Sequence, residues 1–173
     1  WTNRKNAAMQ VWREWMPVSE QPWKSYDIGE LATYFRTDTR MVARSRPASY
    51  GTILRSGDPA AALVAFRDGA WQDPAATMMG TEQENWLYHG FRAASRQKKT
   101  WQLLGVGTNM GYNSTPVDAL DWLDPKADGR AISYFKAGIA AARAGLPYNL
   151  DNWGGYPRQS RACSLRRRPQ MPI

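Results

Sequence analysis

The sequence predicts an α/β fold. Helix-period stripes alternate with strand-like runs along the chain, and no internal repeat interrupts that alternation. The composition, 43% hydrophobic and 22% charged, is that of a globular chain. Its 173 residues are enough for one domain with one sizeable core. No apolar run approaches the roughly 18 residues of a membrane-spanning helix.

The elements follow in order. Ala8, Val11, Trp12, Trp15 and Met16 recur at helical spacing, and Pro17 stops the run, so a first helix is expected to pack on the body through this stripe. Ser25 through Thr37 is rich in Tyr, Ile and Phe and broken by Gly29, the pattern of a hairpin or two short strands. Residues 44–58, with Arg44, Arg46, Pro47, Ser49, Gly51 and Arg55, read as a surface excursion. Asp58 as cap, Pro59 at the first helical position and Gly69 as stop bound a short helix with Ala62, Leu63 and Phe66 inward.

Residues 70–80 return to loop character. Thr81 and Glu84 then fit a capping box, opening a helix with Trp86, Leu87 and Phe91 on its inner face. Trp101–Val106, after Lys98 and Lys99, is expected as a buried strand. Ile132, Phe135, Ile139, Ala142 and Leu146 mark a last helix that Gly145 and Pro147 end. On this pattern Trp12, Trp15, Trp86 and Trp101 belong to buried faces.

Lys and Arg number 23 against 15 Asp and Glu, a formal charge of +8. Such basicity raises nucleic acid or phosphate partners. From Arg158 on, however, there are five arginines and no acid, which leaves only +3 on the first 157 residues. The chain is therefore divided into a body, 1–157, and a basic tail, 158–173, expected to be disordered or aberrant. It begins at Trp1 without an initiator Met, so it reads as a processed or partial product. Cys163 is the only cysteine, which excludes an internal disulfide and a cysteine-built zinc site and leaves the compartment open.

Local motifs carry little chemistry. His89 is the only histidine and has no ligand-type neighbours at metal spacing. Asp118, Asp121, Asp124 and Asp128 lack the alternation and closing Glu of a calcium loop and read as turn and cap residues, with Asp128 capping the last helix. Gly105-Val106-Gly107 opens no phosphate-binding helix and reads as a tight turn or close backbone approach. No Gly-x-Ser-x-Gly elbow is present. Nine Trp and eight Tyr beside many Arg keep open a basic, aromatic, non-enzymatic module for nucleic acid or polyanions.

Several segments together resemble the alkaline phosphatase D family, the PhoD-like metallophosphatases. They are Arg4 to Ala8 with Trp15-Met16-Pro17-Val18, Asp38-Thr39-Arg40 after the extended stretch, Met79 to Leu87, Trp101 to Leu104, and Asn152 to Pro157. The departures are Gly154 where the family has Asp, Gly107-Thr108 in place of a polar pair, and Arg166-Arg167-Arg168-Pro169 where an amphipathic helix is expected. The resemblance implies a layered α/β/β/α sandwich and a secreted, periplasmic or extracellular phosphomonoesterase or phosphodiesterase using calcium and iron. Its substrates would be small phosphate esters, with nucleic acid only as a phosphodiester.

The family's metal-ligand motifs lie before residues like Arg4 and after residues like Tyr156, so the chain resembles a central, catalytically incomplete segment with no catalytic or metal residue to transfer. Candidate substrate-binding residues are Arg40 and Asp38, which follow a strand whose carboxyl end is expected to face the site, and Trp153 and Tyr156. The plainer readings are a structural Asp–Arg pair and aromatic packing.

Overall fold

A computed structural model describes residues 2–17 and 21–166. They fall into two compact units, one of the residues up to Asp38 with Gln83–Val106, the other of Thr39–Glu82 with the residues from Gly107 onward.

The first unit carries helix α1 (Thr2–Trp15) and strands β1 (Lys24–Ile28), β2 (Ala32–Arg36) and β3 (Trp101–Gly105), together with most of helix α4 (Thr81–Arg96); α2 and α3 precede α4 in the chain and belong to the other unit. The hairpin expected around Gly29 is present: β1 runs antiparallel to β2 with Tyr26 opposite Tyr34. β3 joins the other side of β2 in parallel, Phe35 beside Leu104. Ala32, Thr33 and Phe35 are buried. The Phe35 ring meets Trp86 and Phe91 of α4 at 5.8 and 4.8 Å, so the inner face expected of that helix is where β2 packs.

Two expectations fail here. β3 is an edge strand rather than a buried one, with Trp101 and Leu103 exposed. A buried parallel strand needs cover on both faces, and this three-stranded sheet offers β3 one neighbour. Helix α1 forms as expected and ends before Pro17, but Val11, Trp12, Trp15 and Met16 are exposed, Trp15 by 80%. The stripe is a property of the helix alone; burial requires an opposing surface, which the described residues do not place over it. Trp12, Trp15 and Trp101 therefore leave the core, and Trp86 is half-buried.

The second unit carries α2 (Tyr50–Ile53), α3 (Pro59–Asp68), α5 (Gly129–Arg143) and α6 (Pro157–Arg166). Asp58 caps α3 by accepting from the Ala61 amide at 3.0 Å, and Asp128 caps α5 through the Ala131 amide at 2.7 Å. Leu63, Ala141 and Leu146 form a buried cluster against which Tyr50, Ile53, Leu54, Phe66 and Trp71 pack. The segment expected to be a surface excursion thus contains a short helix, because Tyr50, Ile53 and Leu54 have apolar surface to place on that cluster.

The basic tail is likewise helical as far as Arg166. Pro157 suits a first helical position, and the helix is tied down by Gln159, whose amide oxygen accepts from the Met78 amide, and by Arg158 and Arg161, which donate to Gln72 at 2.8 and 3.0 Å. Residues 167–173, the rest of that tail, lie outside the described residues. No helix among the described residues is long and apolar enough to cross a membrane.

Candidate functional site

The second unit gathers charge around Asp151. Arg40 donates to Asp151 Oδ2 at 3.1 Å, and Arg44 donates to Oδ1 of the same carboxylate. The two arginines differ in setting: the Arg40 side chain is 56% exposed and that of Arg44 is 5% exposed. Arg44 also donates through Nε to the Tyr156 hydroxyl at 3.2 Å and lies over the Tyr156 ring, 5.6 Å from its centroid. Tyr156 in turn donates to the Ser45 carbonyl at 2.6 Å. Asp151 is fixed from the other direction by its amide, which donates to the Asn149 side chain at 2.7 Å.

This connected chain of bonds holds one guanidinium inside the protein and presents the other to solvent. A planar guanidinium with several N–H donors matches the oxygens of a phosphoryl group. What the cluster can do chemically is bind and orient such an anion.

The four residues singled out from sequence are distributed unevenly. Arg40 and Tyr156 belong to the cluster, Tyr156 as a buried brace beneath Arg44. Trp153 is 1% exposed in the turn Trp153–Gly155, so its bulk packs. Asp38 closes the first unit, where its amide donates to Gln83 Oε1 at 2.8 Å and its carbonyl accepts from Gln83 Nε2 at 2.7 Å. The carboxylate that Arg40 meets in its own unit is Asp151, 111 residues away.

Sequence reasoning missed Arg44, Asp151 and Gln83. Arg44 was assigned to a surface loop on composition, and nothing local marks Asp151 as the partner of residues so distant. Gln83, a polar residue on a helix face, is fully buried because it bonds both backbone groups of Asp38.

The remaining motifs take plain roles. His89 is exposed and sits edge-on to Tyr88. Asp124 accepts from the Lys126 amide at 2.7 Å, a turn contact. Gly105 lies where a Cβ would come within 2.3 Å of the Tyr34 hydroxyl, the close approach expected of it. Among the described residues no group of three or more His, Cys, Asp and Glu could hold a metal ion. Asp151, the carboxylate of the cluster, is engaged by two guanidiniums. These residues do not fit a calcium or iron site.

The PhoD-like phosphatase family model matches residues 1–168. The chain belongs to the PhoD-like phosphatase family. The match extends across both units and past the start of α6. No curated protein and no solved structure gives a match. For a PhoD-like phosphatase chain, an exposed arginine anchored on a carboxylate is chemistry suited to a phosphoryl ligand.

Proposed function

We propose that this chain supplies the substrate-recognition part of a phosphoric ester hydrolase, with Arg40 as the phosphoryl-binding residue. The observation that carries the reading is the Arg40–Asp151–Arg44 arrangement, in which the buried Arg44 holds the carboxylate that aligns the exposed Arg40. Tyr156 and Trp153 brace the wall from within, and Asp38 contributes through its backbone to holding the end of β2 on α4.

The finer reading is a metal-dependent alkaline phosphatase or phosphodiesterase within a layered α/β/β/α sandwich, exported to the periplasm or the outside. Calcium and iron would then be held by residues other than those described here, and the chain alone would be inactive. Family membership supports this reading, and no step is derived through the metals.

Calorimetric titration of the chain with inorganic phosphate is the test. Saturable binding that weakens at least tenfold in Arg40→Ala, with a melting temperature lowered by at most a few degrees, is expected. Equal binding by the variant would remove Arg40 from the role.

A second reading, a nucleic-acid or polyanion module, rests on the exposed aromatic residues Trp12, Trp15, Tyr26 and Trp101 of the first unit. It requires oligonucleotide binding that falls steeply with salt and is lost in Trp15→Ala and Trp101→Ala.

A further inference from the structure

The second unit also contains a cavity of about 750 Å³ that the phosphoryl-binding role leaves unassigned. Residues 47–51 with Leu54, the first turns of α5 and residues 148–151 line it. Three tyrosines dominate its walls. The Tyr50 hydroxyl donates to the Pro147 carbonyl, and that of Tyr134 donates to the Tyr148 hydroxyl. The Tyr134 and Tyr148 rings stand at 90° with centroids 5.5 Å apart.

Because Tyr50 and Tyr134 commit their hydroxyl protons to the protein, these rings offer a ligand apolar π surface more than hydrogen-bond donors. Leu54, Ala137 and Leu150 continue that surface. Ser49, Arg130, Ser133 and Asn149 add polar groups to the lining, while the tyrosine faces and edges give a flat ring a packing surface that a small polyol cannot use.

Asp151 lines this cavity and is also the carboxylate that holds Arg40. The cavity and the charged cluster are therefore contiguous.

We propose that the cavity takes the flat aromatic ring of an aryl or nucleoside phosphate ester whose phosphoryl group lies at Arg40. This names the substrate class of the site described above and rests on that reading. The specificity is for aromatic over small aliphatic alcohol groups.

The test titrates the 173-residue chain with phenyl phosphate, uridine monophosphate, glycerol 3-phosphate, inorganic phosphate and phenol. At least one aromatic ester is expected to bind about tenfold more tightly than glycerol 3-phosphate. Whichever of phenyl phosphate and uridine monophosphate gains more identifies an aryl or a nucleoside ring. Ala137→Trp, which places a bulky ring in the cavity, is expected to remove that advantage and leave inorganic phosphate binding intact. Tyr134→Ala, at an exposed position, is expected to weaken it several-fold and guards against a folding defect in the first variant.

Equal affinities for aromatic and aliphatic esters would overturn the inference, as would an advantage that survives both substitutions. Phenol binding that depends on Ala137, without any phosphate binding, would sustain the aromatic cavity and remove the phosphoryl role of Arg40.

Discussion

Asp151 carries two arginines with unequal demands. Arg44 is buried and depends on this carboxylate, whereas Arg40 is largely solvated. Asp151→Asn leaves a buried guanidinium without its counter-charge, and because the carboxylate itself is 45% exposed the expected loss is about 1–3 kcal/mol. Arg40→Ala is expected to cost under about 1 kcal/mol, as exposed pairs do. Urea denaturation of both variants checks the ranking; equal losses would contradict the division of labour between the arginines.

Two tyrosines of the cavity wall, Tyr134 and Tyr50, titrate late. Burial, with the hydrogen bond to Tyr148 added, pushes the Tyr134 phenol up to about 12, and burial raises Tyr50 as well. A phenol whose folded pKa lies above its unfolded value contributes stability that is present below about pH 10 and lost as pH rises through the folded value. Stability is expected to fall between pH 10 and 12, and less so in Tyr134→Phe. Melts across that range with absorbance at 295 nm follow both. At this scale a resemblance in the motifs around them singled out Arg40 and Tyr156, which the structure brings into one cluster. Asp151 and Arg44 were not legible, since a pairing across more than a hundred residues leaves no local pattern.

At the scale of elements, local chemistry sets the boundaries. Asp58 and Asp128 cap α3 and α5 as their positions before Pro59 and Gly129 imply, and Gly145 and Pro147 follow the end of α5. These were readable because caps and stops act within a few residues. The environment of an element was not readable: β3 has a buried strand's composition and an edge strand's position.

Turns at the site follow the same logic. Gly155 lies where a Cβ would come within 2.1 Å of the Leu150 carbonyl oxygen. Backbone cannot swing aside as a side chain can, so Gly155→Ala is expected to destabilise by about 1–3 kcal/mol and to disturb residues 150–156. Gln83→Ala should cost a similar amount, about 2–3 kcal/mol, by stranding both backbone groups of Asp38. Thermal melts and amide exchange at Asp38 would reveal an unchanged backbone if that bridge were dispensable.

For the molecule as a whole, aromatic content is divided between core and surface. Trp153 lies inside the second unit; Trp15 and Trp101 lie on the surface of the first. Trp153→Ala is expected to cost about 3–5 kcal/mol and Trp15→Ala or Trp101→Ala under about 1 kcal/mol. Acrylamide quenching should reach a large fraction of the tryptophan emission, and a uniformly protected emission would contradict the exposed faces of α1 and β3. Of the basic stretch, Arg158 and Arg161 anchor a helix instead of trailing from it.

The central proposal, which rests on family membership and on the Arg40–Asp151–Arg44 arrangement, is that this chain binds the phosphoryl group through Arg40. Its most direct test is phosphate titration before and after exhaustive chelation, on the wild type and on Arg40→Ala. Binding that is unchanged by chelation and lost with Arg40 is the expected result. Binding that disappears on chelation and is indifferent to Arg40 would contradict it.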